Sequence, residues 1–226
     1  MKFTCHKQSE PASQALPAHQ GTIELAFDIK TEAREYKRGV IINVASKLFY
    51  EKGFQRTTLD DIAQSIGVTK PFIYSYFSNK YDILESLFDF IYDDLYSGVM
   101  QEIERTDIDP LAKLKNFVMH FVRMNIEQKE FSSIMLQEEI NLSEQKRKDI
   151  KAKQKNFDLR LKGIIEEGIA AGQFDCLDPG LASLAISGMV RWTHRWYLPE
   201  GRLGADELCD RMGELALNMV GARRPD

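Results

Sequence analysis

Residues Thr57 to Phe77, TTLDDIAQSIGVTKPFIYSYF, carry two apolar stripes at helical spacing, separated by a single glycine. Thr58 stands as an N-cap, and Asp61 follows three residues later, where a carboxylate can answer the free amides of the first turn. Leu59, Ile62, Ala63 and Ile66 then make one inward face. Gly67 ends that helix, because a left-handed residue is needed there. Thr69 caps the next helix at once, and Pro71 falls in its first turn, where a missing amide hydrogen is tolerated. Two short helices joined in this way have the geometry of a helix-turn-helix. In that motif the second helix enters the DNA major groove and presents its N-terminal residues to base edges.

The second helix is too rich in aromatics to bury them all. Ile73 and Phe77, four apart, point back to the core, while Lys70, Phe72, Ser75 and Tyr76 face outward and Tyr74 lies at the border. Phe72 can pack on a thymine methyl, and Lys70 or Ser75 can reach base edges. The hydroxyls of Tyr74 and Tyr76 suit phosphate oxygens, and Lys80 adds charge to the backbone contact. The charge pattern points the same way. The whole chain has a net charge of −4, but Arg34 to Lys80 holds eight Lys/Arg against four Asp/Glu, so that segment is +4 and the remainder −8.

The rest of the 226 residues reads as all-α. Stripes at 3–4 spacing recur at Ile41–Phe49, Ile83–Ile91, Leu114–Val122, Phe157–Ile169, Leu181–Trp196 and Leu208–Met219, and no run alternates as a strand would. Residues 1–30, rich in Ser, Gln, Pro, Ala and His, read as a disordered tail, 31–80 as the domain that holds the helix-turn-helix and 81–222 as a second helical domain. No apolar run reaches the roughly 18 residues of a membrane span, and the N-terminus lacks the apolar core of a secretory signal. Cys5, Cys176 and Cys209 are far apart and form no CxxC pair, which favours reduced thiols in a cytoplasmic protein.

The segment VASKLFYEKGFQRTTLDDIAQSIGVTKPFIYSYFSNKYDIL carries A-x-x-L-F-x-x-x-G-F (Ala45 to Phe54), paired Thr57-Thr58, I-A-x-x-x-G-V-T (Ile62 to Thr69) and I-Y-x-Y-F (Ile73 to Phe77), followed by Lys80 and Leu84. Over residues 34–88 it resembles the N-terminal domain of the TetR-type bacterial transcriptional regulators. The resemblance implies a three-helix DNA-binding head, residues 31–80, on an all-helical ligand-binding and dimerisation body, residues 81–222. It also implies a homodimer on a palindromic double-stranded operator, usually repressing until a small molecule releases it. By position it assigns DNA contacts to Thr58, Thr69, Lys70, Phe72, Tyr74, Tyr76 and Lys80. Phe72 stands where the family more often has a small residue, so base preference is expected to differ.

The resemblance places dimer contacts on the last two helices. Ala182, Ser183, Ala185, Ser187 and Gly188 are small enough for close helix approach, Leu181 stands beside them, and Leu208, Met212, Leu215 and Met219 form a long apolar stripe. GMVRWTHRWYLPEG (Gly188 to Gly201) is similar to the C-terminal region of the family's acyl-CoA-responsive branch, which senses fatty-acid, phenylacetate or steroid-ring degradation. Such a ligand needs an apolar slot, for which Phe88, Tyr92, Phe117, Phe121, Met124, Met135, Phe157, Leu161, Met189 and Trp192 are candidates. It also needs cations for its phosphates, here Arg191, Arg195, Arg123 and Arg160. The run Glu144 to Lys155 reads as a solvated helix face, and His120 and His194 as core or interface residues without metal spacing. No cofactor is expected, and no enzyme: the chain shows no nucleophile elbow, metal set, Gly-rich phosphate loop or paired acid–base carboxylates. A repressor for another hydrophobic ligand, or an effector-independent DNA-organising protein of the same fold, stay open as alternatives.

Overall fold

A computed structural model describes residues 18–223, apart from the side chains of residues 18–29 and of Asp94. Among the described residues there are helices and no strand. They run α1 (Ala18–Lys52), α2 (Leu59–Ile66), α3 (Lys70–Tyr74), α4 (Lys80–Phe90), a π-helical turn (Ile91–Leu95), α5 (Tyr96–Glu104), α6 (Pro110–Glu127) and α7 (Lys129–Glu138). A 3-10 turn (Glu139–Asn141), α8 (Glu144–Ala170), α9 (Pro179–Arg191), α10 (Thr193–Trp196) and α11 (Ala205–Met219) complete the chain. The chain divides into two units, residues 1–40 and 41–226. Within the first, the described residues are helical, with Tyr36 exposed and Arg38 paired to Glu35 at 3.7 Å. The disordered tail expected over 1–30 is thus helical from Ala18 onward; the apolar residues of TIELAFDIK sit in a sequence without a helix breaker after Gly21. The remainder of that tail, including Cys5, lies outside the described residues.

In the second unit the local signals act as read. Thr58 Oγ1 accepts from the Asp61 amide at 3.2 Å, and Asp61 Oδ2 accepts from the Thr58 amide at 2.8 Å, a complete capping box. Gly67 closes α2 at φ 78°, the left-handed region that glycine enters without a Cβ clash. Asp109, before Pro110, caps α6 by accepting from the Ala112 amide at 2.8 Å.

The core of the body is α6, whose Leu114, Phe117, Val118, Phe121 and Val122 have no exposure and which packs against α5, α8, α9 and α11. Rings from three helices meet there. Phe121 lies 4.9 Å from Phe157, 5.5 Å from Tyr96 and 5.8 Å from Phe117, centroid to centroid. Gly168 lets this layer close at its end: a Cβ on it would lie 2.1 Å from the Phe174 ring.

The stripe expected to continue from Leu181 to Trp196 breaks at Trp192. The carbonyl of Arg191, freed from the helical ladder, is met by Nδ1 of His194 at 2.9 Å, and α10 starts afresh. Trp192 and Trp196 consequently lie half-exposed outside the core face.

Candidate functional site

The two short helices place their residues on a surface. Ile73 and Phe77 are buried, as their spacing requires, and Tyr74 is 52% exposed. Phe72 and Tyr76 are half-buried and pack on each other with ring centroids 5.1 Å apart. The outward aromatic of α3 is therefore Tyr74, read from the sequence as a border residue. Thr69 caps α3 through its backbone geometry alone, and its side chain makes no cap hydrogen bond. Ser75 Oγ donates to the Phe72 carbonyl at 2.7 Å. Lys70 donates to Asp60 at 2.7 Å across the surface, and this carboxylate raises the lysine's pKa. Such an exposed pair is weak, so a phosphate can take the ammonium over.

Lys80 corrects the sequence reading. Its ammonium donates to the carbonyls of Phe54 (2.9 Å), Gln55 (3.0 Å) and Thr57 (3.3 Å) and lies 4.6 Å from the Phe54 ring centroid. It ties the start of α4 to the link between α1 and α2, with its charge turned inward instead of toward phosphates. Lys80→Met is expected to destabilise the protein by about 1.5–3 kcal/mol, the range for hydrogen bonds to charged groups. It should leave the slope of log K against log[salt] for DNA unchanged. Lys70→Met should do the reverse, reducing the slope by about one unit. Melting curves and salt titrations of DNA affinity separate the two.

Asp61 gives the head a pH dependence. Its bonds with the Thr58 hydroxyl and with Lys52 hold its carboxyl down to about 2. A carboxyl depressed by folding contributes stability that is complete above its unfolded value near 3.8 and is lost as pH falls through about 2. Melting curves between pH 5 and 2 should therefore fall more steeply for the wild type than for Asp61→Asn.

In the body, most of the expected slot is solid core. Phe88, Phe117, Phe121 and Leu161 are fully buried, and the rings of Phe117, Phe121 and Phe157 fill one another's space. Met124 and Met189 are half-buried against the same core. Tyr92 and Phe157 instead border a groove of about 190 Å³ with Tyr96, Met100 and Lys153. A separate cavity of about 100 Å³ lies among α5, α6, α7, α8, α9 and α10, lined by Tyr96, Asn125, Ser132, Met135, Gln154, Arg191 and His194 among others. Of the expected ligand residues, Met135 and Arg191 line it.

The polar groups of this cavity fall into three separate sets. Asn125 donates to the Phe121 carbonyl at 2.8 Å and accepts from Ser132 at 3.1 Å. Gln154 donates to the Tyr92 hydroxyl at 3.0 Å. Arg191 packs over the Phe157 ring at 5.2 Å and reaches Asp158 at 3.5 Å. Among the described residues two buried side-chain atoms have no partner, Arg191 Nε and His194 Nε2. Burial lowers the His194 pKa, so the ring is neutral near pH 7. Sequence reasoning missed Tyr96, Asn125, Ser132, Gln154 and His194 as cavity residues. The available signal was a polar side chain on an otherwise apolar helical stripe, as at Asn125.

The other expected phosphate partners do not face this cavity. Arg123 pairs with Asp206 and Glu127, Arg160 with Glu104, and Arg195 stacks on Trp192 at 5.1 Å. The basic run of α8, read as a solvated face, is partly pinned: Lys146 binds Asp89 at 2.7 Å and Lys153 binds Asp93 at 2.6 Å. His120 is exposed and lies 3.3 Å from Glu102, not in the core. No cluster of metal-ligating side chains occurs among the described residues, nor any helix long and apolar enough to cross a membrane.

The expected dimer set separates in two. Leu181 (65% exposed) and Leu184 (57%) share one face of α9 with Ala185, Gly188 and Trp192, and Leu215 and Met219 are exposed on α11. Leu208 and Met212, by contrast, are only 2% and 4% exposed, because that face of α11 packs on α6. They are core and not available to a second chain.

Residues 41–87 match the family described as bacterial regulatory proteins, tetR family, and residues 107–220 match the tetracyclin repressor-like, C-terminal domain. The HTH-type transcriptional repressor KstR2 of Mycolicibacterium smegmatis is 29% identical over 175 residues, 76% of this chain and 84% of that protein. The TetR family regulator PfmR from Thermus thermophilus superposes with a TM-score of 0.72 at 30% identity, covering 81% of this chain and 99% of that one. AibR, solved with isovaleryl coenzyme A and operator DNA, shares the fold with a TM-score of 0.72 at 21% identity, over 82% of this chain and 99% of that one. The two family matches, the capped helix pair at Leu59–Tyr74 and the all-helical body behind it lead to one conclusion: this chain belongs to the TetR family of bacterial transcriptional regulators, and is a DNA-binding regulator, not an enzyme.

Proposed function

We propose that the protein is a homodimeric repressor whose two heads bind a palindromic operator and are released when an acyl-CoA thioester enters the cavity beside Arg191 and His194. The observation that carries this reading is the cavity itself, where Asn125, Ser132, Gln154, Arg191 and His194 from five helices converge beside the aromatic core. AibR, which has the same fold, is described with an acyl-CoA and an operator. On this reading Thr58, Thr69, Lys70, Phe72, Tyr74, Ser75 and Tyr76 form the DNA face, and Lys80 positions it.

The cavity also has a route to the head. Gln154 lines it and holds the hydroxyl of Tyr92, which sits in the π-helical turn directly after α4. Lys80, at the other end of α4, holds three carbonyls of the link before α2. A π-helical turn is a frequent mark of a functional site. A ligand that moves Gln154 moves the end of α4, and with it the spacing of the two heads, which must stay near roughly 34–36 Å or a multiple to meet successive major grooves. Release then requires tighter ligand binding in the state that does not fit DNA.

The test is thermal unfolding with a series of acyl-CoA thioesters, the matching free acids and bare CoA, followed by operator release in fluorescence anisotropy. At 100 times the dissociation constant the ligand stabilises by about 2.7 kcal/mol, or about 5–10 °C at this chain length. A shift with one thioester class and none with bare CoA is the expected result. No shift with any thioester defeats the acyl-CoA reading.

A further inference from the structure

The cavity beside Arg191 holds about 100 Å³. Sites for whole small molecules run to roughly 300–1,000 Å³, so a CoA thioester with its acyl group in this cavity has its nucleotide outside it. Two grooves share a lining residue with the cavity. One shares Tyr96 and holds about 190 Å³, but its Lys153 is taken at 2.6 Å by Asp93 of the same lining. The other shares Gln154 and holds about 400 Å³. It runs between α8 and α9, and Lys151, Lys155, Asp158, Leu159 and Lys162 line its α8 side.

The lysines of α8 divide by partner. Lys146 and Lys153 hold Asp89 and Asp93, Lys148 holds Glu144 at 2.7 Å, and Lys162 holds Glu166 at 3.0 Å. Lys151 and Lys155 stand four apart, on one helix face, and are exposed; among the described residues neither has a carboxylate partner. The carboxylate of the groove, Asp158, is already met by the Ser187 hydroxyl at 2.8 Å and by Arg191 at 3.5 Å. The groove therefore offers two ammonium groups to an anion, and phosphate oxygens are strong acceptors for them. Leu159, 53% exposed, adds apolar surface for a base.

We propose that the α8–α9 groove is a phosphate subsite, in which Lys151 and Lys155 hold the phosphates of the thioester's nucleotide end while the acyl group occupies the cavity on the other side of Gln154. The proposal rests on the reading of the cavity as the effector site and supplies the half of the ligand that the cavity is too small to contain. It also replaces the arginines expected from the sequence, since Arg123, Arg160 and Arg195 line neither space.

The test is a phosphorus NMR titration of the full chain with 3′-phosphoadenosine 5′-diphosphate, the nucleotide end common to CoA thioesters. It compares wild type, Lys151→Met/Lys155→Met and Lys148→Met. All three lysines lie on the surface, so the variants keep the fold. Exposed ion pairs are weak, so in wild type the Kd is expected on the order of 1 mM, rising as salt screens the lysines. A Kd that weak leaves bare CoA without a melting shift at micromolar concentration. The double variant should lose about tenfold in affinity, and Lys148→Met, off the groove, should lose none. A thioester that raises the melting point of the wild type should likewise bind the double variant about tenfold more weakly. Adenosine diphosphate lacks the 3′-phosphate; if it binds as tightly as the 3′-phosphorylated nucleotide, the groove serves free nucleotides and the inference falls. It falls too if the double variant binds nucleotide and thioester as the wild type does, and the effector site then stands. No melting shift with any thioester defeats the effector-site reading and this one together.

Discussion

On the homodimeric reading proposed above, glutamate at both Leu181 and Leu184 is expected to yield a folded monomer that binds its operator about 10²–10⁴-fold more weakly, the loss of effective concentration when two linked heads become two separate ones. Leu181, Leu184, Ala185, Gly188 and Trp192 recur at helical spacing on one face of α9, and that face is exposed in the isolated chain. An apolar stripe of this kind marks an interaction surface, and small residues at 185 and 188 allow close helix approach. The substitutions sit on the surface of the monomer, where changes cost within about 0.5 kcal/mol. Buried in a dimer, each carboxylate would lose its water without a partner. Sedimentation should show the mass halved with the helical signal intact, while anisotropy reports the affinity. A variant that stays dimeric would move the interface off α9. Met212→Glu serves as the contrast, since Met212 is buried against α6 and its variant should fail to fold, not merely dissociate.

What could be read from the sequence follows from how local each cause is. Caps and turns depend on a few neighbouring residues, so Thr58 with Asp61, Gly67, and Asp109 before Pro110 act as their positions foretell. The 3–4 stripes predict which faces are apolar, and Ile73, Phe77 and the α6 stripe are buried accordingly. A stripe does not say what covers it. Leu208 and Met212 look identical in pattern to Leu215 and Met219, yet α6 covers the first pair and leaves the second exposed. Lys80 shows the same limit for charge: its role depends on the carbonyl of Gln55, 25 positions away, and on its neighbours, which the chain brings together only on folding. The cavity was the least legible feature. Aromatics were numerous enough to suggest a slot, but rings pack on rings, and the cavity beside them is edged by Asn125, Ser132, Gln154 and His194. Of these, only Asn125 is marked by spacing, as a polar residue continuing the apolar stripe of α6.

Phe121→Ala tests that distinction between core and slot most severely. Phe121 has no exposure and sits within 5.8 Å, centroid to centroid, of Phe117, Phe157 and Tyr96. If its ring is core, removing it costs the transfer of a phenyl group plus the void left behind, about 3–5 kcal/mol. At this chain length that is about 6–20 °C in Tm. The edge and tilted contacts it makes with three other rings place the cost toward the upper end. The void would be apolar and dry, so benzene added to the variant should bind there and recover part of the loss, as a native-state ligand does. Benzene should leave the wild type unchanged, because its rings already fill that space. The opposite outcome has an equally definite meaning. A variant that melts within about 1 kcal/mol of wild type, well short of the cost of an emptied core site, or a wild type that benzene stabilises, would show that the rings line open space. The apolar slot expected from the sequence would then be the effector site, in place of the polar cavity beside Arg191 and His194.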